Sequence, residues 1–363
     1  MDGLVLIIII DLLIIVTVYF LFKLFDKTKI IIEYESKNKF AIIVPARNEE
    51  NVISSLLDSL NNQNYPKELY DIYVIPNNCN DKTEELSKNK AKILKYDINF
   101  KTKGEVLKEA FNDLMEYDAF IVFDADNVVD SNFIKAMNNY LCNGSLVVQG
   151  YRDSKNYENW LSYSYSIFYW LQNLYFEKIN SSFISGTGFM IKKEVIKKYG
   201  FNVETLTEDT EFSVFCEINK IKIDFAKEAI TYDEQPTDFI TSWNQRKRWT
   251  VGVVQTLKLY FKRIIETNSI NSFIILNNPV FNLIGLIITL LYLGNMNYFI
   301  ILISSLYIFM IIIAFITILY NDKKLNYKLF LFPVFILSWV PINIIYLFKK
   351  DCEWKEINHN KNL

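Results

Sequence analysis

The charged side chains of this sequence are very unevenly placed. Residues 267–321 and residues 329–348 contain no Asp, Glu, Lys or Arg, although 22% of the 363 residues are charged. A surface helix of a soluble protein needs a polar face, so charge-free stretches of this length are typical of helices that lie in a membrane. The sequence therefore predicts a charged, water-exposed block joined to membrane segments.

The first predicted membrane segment is at the N-terminal end. Residues 3–22 are almost entirely apolar, and Lys23, Lys27 and Lys29 follow them. A secretory signal peptide would carry its positive charge before the apolar run. Basic residues after a span place the following chain in the cytoplasm. We therefore expect residues 1–24 to form a retained transmembrane helix.

The C-terminal third contains further apolar segments. Ile274–Gly294 and Tyr298–Tyr320 are each long enough to cross roughly 30 Å of hydrocarbon, which predicts a helical hairpin. Pro333 and Pro341 interrupt residues 329–348. That last segment either spans the membrane or re-enters it, and both alternatives stay open.

A helix is also predicted just before the hairpin. Val251, Val254, Leu257 and Phe261 recur at helical spacing among basic residues, which is typical of an amphipathic helix at a membrane surface. Packing against the rest of the domain is the alternative. The predicted regions are a transmembrane helix at 1–24, a cytosolic domain at 25–250, an amphipathic interfacial segment at 251–272, transmembrane or re-entrant helices at 273–348 and a tail at 349–363.

The charged block begins with an alternation of apolar and helical stretches. Strands are predicted at Phe40–Val44, Ile72–Ile75 and Ala119–Phe123, with helices at Glu49–Leu60 and Lys82–Asn89 between them. This order predicts a parallel α/β sheet with helices on its faces. Ligands bind such sheets at the carboxyl ends of the strands, so the polar residues there are the first candidates for a site.

Polar residues do follow each predicted strand. Ala46 and Glu49 follow the first strand, the loop Asn77–Asp81 follows the second, and Asp124 and Asp126 follow the third. Two carboxylates two positions apart can share a divalent cation such as Mg²⁺ with phosphate oxygens. For this acidic triplet taken alone, a solvated turn is the alternative.

Three later segments strengthen the case for a site. Gly186–Gly188 is a Gly-Thr-Gly sequence in a chain with ten glycines, Thr207–Asp209 supplies a second acidic pair, and Gln245–Trp249 is rich in arginine. Only five of the 39 basic residues are arginines, so Arg246 and Arg248 together predict bidentate recognition of an oxyanion. A basic cluster on lipid headgroups is the alternative.

Composition excludes several classes of partner and cofactor. With 39 basic and 41 acidic side chains the net charge is -2, which argues against nucleic acid as a partner. The four cysteines are widely spaced and the chain has one histidine. This favours free thiols in a reducing compartment and gives little support to a zinc site.

In this order the motifs resemble the membrane-embedded processive branch of glycosyltransferase family 2, which includes cellulose, chitin, hyaluronan and poly-N-acetylglucosamine synthases. The resemblance covers roughly residues 39–262. Its motifs are Pro45-Ala46-x-Asn48-Glu49, Asp124-Ala125-Asp126, Gly186-Thr187-Gly188, Thr207-Glu208-Asp209 and Gln245-x-x-Arg248-Trp249. The resemblance implies an α/β GT-A fold with a Rossmann-like nucleotide-sugar-binding domain, a UDP-sugar donor, Mg²⁺ or Mn²⁺, and inversion at the anomeric carbon.

The resemblance also implies roles for individual residues. Asp209 would be the general base, and Asp126 would hold the metal. The implied donor-binding residues are Ala46, Glu49, Asn77, Asp81, Lys103, Asp124 and Arg248. The implied acceptor-binding residues are Gly186, Thr187, Gly188, Glu208, Gln245 and Trp249. Family members commonly have Asp in place of Asn77, whose amide can still hydrogen-bond the edge of a base.

The leading hypothesis is a metal-dependent hexosyl- or N-acetylhexosaminyltransferase, a multi-pass protein of the cell membrane with a cytoplasmic catalytic domain. It would move sugar from UDP-GlcNAc or UDP-glucose to a growing polysaccharide. Because few membrane helices are predicted, export would need a small membrane partner subunit or a homo-oligomer. A single addition onto a membrane lipid is the alternative. A domain that binds nucleotide-sugar without catalysis is the third hypothesis.

Overall fold

The computed structural model describes residues 32–179, 181–269, 271–272, 276, 280, 284–285 and 296–349. The predicted helix at 1–24, most of the predicted span Ile274–Gly294 and nearly all of the tail at 349–363 lie outside the described residues.

An eight-stranded sheet forms the centre of the described chain. Its strands are β1 (Phe40–Ala46), β2 (Tyr70–Pro76), β3 (Lys92–Ile93), β4 (Ala119–Val122), β5 (Val128–Val129), β6 (Val147–Ser154), β7 (Phe189–Lys192) and β8 (Ile223–Asp233). The strand order is β3-β2-β1-β4-β7-β6-β8-β5. The first four strands are parallel, as predicted, but β7 and β5 run antiparallel to their neighbours. The whole sheet is therefore mixed.

Helices cover both faces of the sheet and continue beyond it. They are α1 (Ile53–Asn61), α2 (Thr83–Ser87), α3 (Lys103–Asp113), α4 (Phe133–Cys142), α5 (Trp160–Ile179), α6 (Lys193–Tyr199), α7 (Glu208–Ile218), α8 (Phe239–Glu266), α9 (Met296–Tyr320), α10 (Phe332–Leu337) and α11 (Trp339–Tyr346). Short 3₁₀ helices occupy Lys67–Leu69 and Tyr327–Leu331.

Strand β1 shows why the motifs meet at one edge of the sheet. Phe40, Ile42 and Val44 pack in one apolar layer with α1 and α4, whereas Ala41 and Ile43 pack in the other with α3 and α7. Side chains alternate along a strand, so an unbroken apolar run is buried on both faces. The parallel neighbour β4 then ends at the same edge as β1 and brings its acidic turn there.

The C-terminal helices are fixed to the α/β domain by polar contacts. Asp153, at the end of β6, accepts a hydrogen bond from Trp170 Nε1 at 2.7 Å and pairs with Lys323 Nζ at 2.7 Å. Tyr151 donates to Asn321 Oδ1 at 2.8 Å. These contacts join β6 and α5 to the chain that follows α9.

The segment at 327–346 is helical but not continuous, since the two prolines divide it into a 3₁₀ turn, α10 and α11. Its buried side, with Leu329, Phe332 and Phe335, packs against α5. Its other side exposes large apolar side chains, among them Tyr327, Phe330 and Ile345. Of the described helices, the stretches 303–320 and 327–346 have the length and apolar composition to cross a membrane.

Helix α8 uses its predicted apolar positions mainly inside the protein. Val251 and Val254 are buried, and Leu257 packs in the cluster formed with α7. Phe261 and Ile265 are exposed. Contact of that exposed surface with a membrane stays a prediction.

Candidate active site

A cavity of about 700 Å³ opens where β1 and β4 end, and α3, α5, α7, α8 and α11 complete its walls. Its volume is ordinary for a small-molecule site. The predicted residues that line it are Ala46, Glu49, Asn77, Lys103, Asp124, Asp126, Gly186, Glu208, Asp209, Gln245, Arg248 and Trp249. Asp81, Thr187 and Gly188 do not line it.

The loops after β1 and β2 are held together at one end of the cavity. Asn77 N donates to Ala46 O at 2.9 Å, and Asn80 N donates to the Asn48 side chain at 2.8 Å. The Asn77 amide donates to Phe100 O at 3.1 Å. Its Oδ1 is buried and has no hydrogen-bond partner among the described residues. That oxygen is an acceptor available to a ligand.

Asp81 fixes this loop from behind. Its carboxylate accepts from Glu50 N and Thr83 N, both at 3.0 Å. Partial burial acts to raise the pKa of Asp81, but the hydrogen bonds from Thr83 and Glu50 outweigh it and lower that pKa. Asp81 therefore stays ionised at the start of α2 and positions the loop without facing the cavity.

Lys103 is the central cation of the site. Its Nζ lies 2.6 Å from Asp124 Oδ1, 2.6 Å from the carbonyl oxygen of Gly186 and 3.3 Å from Glu208 Oε1. Burial alone would lower the pKa of Lys103, but the carboxylates of Asp124 and Glu208 raise it above its usual value. The ammonium group therefore stays charged and ties the acidic turn after β4 to α7.

Asp209 lies in the first turn of α7 beside Gly186. A Cβ atom added to Gly186 would lie 3.5 Å from Asp209 Oδ2, which is van der Waals contact and shows how closely the backbone of this loop approaches the carboxylate. Burial, followed by the neighbouring charge of Glu208, raises the pKa of Asp209 to about 6, while Lys103 and Arg248 act in the opposite direction. A carboxylate with a pKa near neutrality suits proton transfer at physiological pH.

Thr187 and Gly188 support the site instead of lining it. Thr187 Oγ1 accepts from Asp124 N at 3.0 Å and bonds to Asn127, so it braces the acidic turn. Gly188 has φ +62°, and a Cβ added there would lie 2.5 Å from Thr231 Oγ1. Thr187 and Gly188 therefore have a structural role behind the cavity wall.

We expect Gly188→Ala to lower the free energy of unfolding by about 1–3 kcal/mol, because it combines left-handed backbone strain with a clash against Thr231. Gly144→Ala is the matched control, since Gly144 has φ +87° but nothing within 4 Å of the added Cβ. Chemical denaturation of both variants measures the difference. Equal losses would show that the contact with Thr231 contributes nothing.

Helix α8 presents Gln245, Arg248 and Trp249 to the cavity. Residues three and four apart share one helix face. Arg246 is two positions from Arg248 and faces away: it is fully buried and donates to Ser338 Oγ at 2.6 Å. The prediction that both arginines bind one oxyanion is therefore wrong, since helical geometry separates them.

Sequence reasoning missed a buried ion pair in the cavity wall. Arg152 Nε and Nη2 donate to Asp233 Oδ2 at 2.9 and 2.6 Å, and the guanidinium lies 4.0 Å from the ring centre of Tyr169. Burial raises the pKa of Asp233, although Arg152 counteracts it. The rarity of arginine in this sequence was the available signal for Arg152.

The far wall was also missed, because it comes from α5 and α11. Phe168, Gln172, Trp339 and Asn343 line the cavity there, opposite the sheet edge. Thr250 of α8 donates to Asn343 Oδ1 at 2.7 Å, which fixes α11 against α8.

The acidic turn after β4 offers a limited set of metal ligands. Within the described part of the chain, no three His, Cys, Asp or Glu side chains form a group that could hold a metal ion. Asp124 and Asp126 both line the cavity. Such a pair of carboxylates fits Mg²⁺ or Mn²⁺ only when the ion takes further oxygen ligands from a bound phosphate and water.

The model of the glycosyltransferase-like family 2 matches residues 37–252, which is more than half of the chain. The chain belongs to glycosyltransferase family 2. This family-2 domain contains every motif described above, whereas α9, α10 and α11 lie beyond it.

Two curated relatives of this family-2 chain are named by activity. The probable glycosyltransferase YdaM of Bacillus subtilis (strain 168) is 29% identical over 252 residues, 62% of this chain and 60% of the relative. The beta-monoglucosyldiacylglycerol synthase of Trichormus variabilis is 26% identical over 240 residues, 62% of this chain and 51% of the relative. The chain thus spans 51–60% of the length of these relatives.

A solved structure supports the fold assignment. The mannosyltransferase PcManGT of Pyrobaculum calidifontis, determined with GDP-Man and Mn²⁺, superposes with a TM-score of 0.60 over 96% of this chain and 99% of that one, at 12% identity. The family-2 domain therefore has a GT-A-like α/β fold with a mixed sheet.

Proposed function

We propose that this chain is an inverting glycosyltransferase that moves a sugar from a UDP-sugar to a hydroxyl group of a growing polysaccharide. The observation that carries this proposal is the single cavity that Asp209 shares with Asp124, Asp126 and Arg248. It unites a carboxylate with a pKa near neutrality, an acidic turn suited to a metal-bound diphosphate and a cation for the leaving group.

The donor binds across the sheet edge in this proposal. Ala46, Glu49 and Asn77 contact the nucleoside, and the free Oδ1 of Asn77 accepts from the N–H of the uracil ring. Lys103 and Arg248 neutralise the diphosphate as charge develops on it, which stabilises the transition state.

Asp126, with Asp124 beside it, would hold Mg²⁺ or Mn²⁺. When bound, the metal would offset the negative charge of the diphosphate. Asp124 also keeps Lys103 in place.

The transfer itself is a displacement at the anomeric carbon. The acceptor oxygen forms a bond to this carbon on the face opposite the diphosphate, and the bond to the β-phosphate oxygen breaks, so UDP leaves and the configuration inverts. Asp209 takes the proton of the acceptor hydroxyl. Its place in the cavity wall beside Gly186 supports this role.

The pH dependence of this reaction follows from Asp209. Below about pH 6 its carboxylate is protonated and cannot accept a proton, so kcat/KM should rise through pH 6 and level off above it. Glu208→Gln removes the like charge that raises the pKa of Asp209, so the acid limb should move to lower pH. Initial rates across the pH range measure both profiles. If the acid limbs of the wild-type and Glu208→Gln profiles coincided, then Asp209, or its coupling to Glu208, would not control the rate.

We further propose that the enzyme is a multi-pass protein of the cell membrane with a cytoplasmic catalytic domain. Two observations support this: the apolar helical stretches at 303–320 and 327–346 each have the length to cross a membrane, and residues 327–348 expose large apolar side chains. Two measurements test it. The expressed chain should sediment with membranes and be released by detergent, and protease should cleave the domain only when added on the cytoplasmic side.

A single addition onto a membrane lipid is the second candidate. The name of the relative from Trichormus variabilis favours it, since that protein is a synthase of a glucosylated diacylglycerol. Transfer from radiolabelled UDP-GlcNAc and UDP-glucose, followed by solvent extraction, separates the two. A water-soluble product that lengthens with time supports the polysaccharide. A labelled product that partitions wholly into organic solvent supports the lipid, and no transfer to either acceptor contradicts the proposal.

A further inference from the structure

The end of the cavity bounded by α5, α8 and α11 has a wall of aromatic rings. Trp339 is nearly parallel to Trp249, with ring centres 5.9 Å apart and 24° between planes. It is also nearly parallel to Phe168, at 6.2 Å and 26°. Such separations are typical of offset stacks, which leave part of each ring uncovered. All three rings line the cavity, so a ligand there meets an aromatic, apolar wall.

Four buried polar atoms accompany this aromatic wall, and none has a hydrogen-bond partner among the described residues. They are Gln172 Oε1, Gln245 Oε1, Trp339 Nε1 and Asn343 Nδ2. All four residues line the cavity, and Asn343 is only 2% exposed. Buried polar groups are normally paired. Their arrangement around one cavity therefore points to a ligand that supplies the missing partners.

The chemistry of these atoms specifies the kind of ligand. Two are acceptors and two are donors, and none is charged. A hydroxyl group both donates and accepts, whereas an ionised phosphate has no proton to donate to the oxygens of Gln172 and Gln245. The C–H face of a pyranose ring also packs well on an aromatic surface. The set fits a neutral sugar ring.

We propose that this end of the cavity binds the neutral sugar ring that carries the acceptor hydroxyl, with Trp339 and Asn343 as specificity-determining residues. The inference rests on the proposed transferase function and names its acceptor class. The ring is the end of a glycan or the headgroup of a glycolipid, since both present the same groups.

Trp339 and Asn343 of this subsite both come from helix α11, in the C-terminal segment. They are four residues apart on α11 and therefore share one face. Arg246 anchors the start of that helix through Ser338 Oγ, at 2.6 Å. Both residues lie beyond the family-2 domain at 37–252. The C-terminal segment thus completes the acceptor subsite of a domain that lacks these groups.

Steady-state kinetics of the full chain in detergent test the proposal. Trp339→Phe keeps a ring but removes the indole N–H. Asn343→Leu removes the amide at similar volume but also removes the acceptor of the Thr250 hydroxyl, so chemical denaturation of this variant accompanies the kinetics. Each should raise the KM for the acceptor roughly 3- to 10-fold, the effect of one lost hydrogen bond. The KM for the UDP-sugar should stay constant. Ile345→Ala is the matched control, because Ile345 is 52% exposed on the same helix and does not line the cavity.

Five acceptors separate the sources: cellobiose and chitobiose in solution, a monoglycosyl diacylglycerol in phosphatidylcholine vesicles, diacylglycerol in the same vesicles, and glycerol 3-phosphate. Turnover with a soluble disaccharide or with the glycolipid supports the proposal and identifies the source of the ring. Turnover only with diacylglycerol or glycerol phosphate overturns it, as does an unchanged acceptor KM in both variants.

A binding measurement keeps the two proposals apart. If the wild-type chain turned over no UDP-sugar, the proposed function would fail, and calorimetric titration with cellobiose and chitobiose would judge the subsite alone. Saturable binding that Trp339→Phe weakens would support the subsite. No heat of binding for either disaccharide would overturn it.

Discussion

Asp209→Asn is expected to lower kcat about 10²- to 10⁴-fold, because the amide cannot take the proton of the acceptor hydroxyl. The substitution preserves the shape of the side chain. The affinity for UDP should therefore stay near the wild-type value. Initial rates of UDP release give kcat, and calorimetric titration with UDP gives the affinity.

Two controls make this result specific. Glu204→Gln changes an exposed carboxylate five residues before Asp209, and it should leave kcat unchanged. The residual activity of Asp209→Asn should also lose the acid limb near pH 6. Wild-type turnover in Asp209→Asn would contradict the role of Asp209 as the base.

Lys103→Met is expected to lower kcat/KM about 10²- to 10³-fold, since it removes a cation that faces the departing diphosphate. It also leaves the largely buried Glu208 and its neighbour Asp124 without their counter-ion. We expect the free energy of unfolding to fall by about 1–3 kcal/mol, less than for a fully buried pair, because the Asp124 side chain is 40% exposed. Steady-state kinetics and chemical denaturation measure the two effects.

Lys108→Met is the matched control, because Lys108 is an exposed lysine on the same helix. It should change neither quantity measurably. A Lys103→Met variant that lost stability but kept its kcat/KM for the UDP-sugar would show that Lys103 has a structural role only.

The first half of the site could be predicted from sequence because its signals are local. The residues after β1 and the acidic turn after β4 each follow a short apolar run, and parallel strands bring their carboxyl ends to one edge. Asn77 is placed by the same rule. No knowledge of distant pairing was needed for these positions.

The second half depends on contacts between distant parts of the chain. Arg152 and Asp233 meet because β6 pairs with β8 about eighty residues later, with a register shift after Gly150. Local periodicity carries no information on that pairing. Trp339 and Asn343 likewise reach the cavity through contacts of α11 with α8, and the sequence offered only an interrupted apolar segment there.

The prediction that Arg246 and Arg248 bind one oxyanion is wrong for a reason that helix geometry alone would have shown. The rarity of arginine in this sequence correctly indicated that Gln245–Trp249 contributes to the site. Side chains two positions apart on a helix, however, point in different directions. Of the two arginines, only Arg248 lines the cavity with Gln245 and Trp249. Arg246 instead donates a hydrogen bond to Ser338, the residue just before α11.

The central claim is that this cavity transfers sugar from a UDP-sugar with the help of a divalent ion. The most direct test is UDP release by the detergent-purified chain across a panel of UDP-sugars, with Mg²⁺, with Mn²⁺ and with a chelator, beside Asp126→Ala and Asp209→Asn. We expect metal-dependent release with one donor, abolished by the chelator and by both substitutions. Release that persisted in both variants, or no release from folded protein that binds UDP, even with glycan and lipid acceptors supplied, would contradict the account.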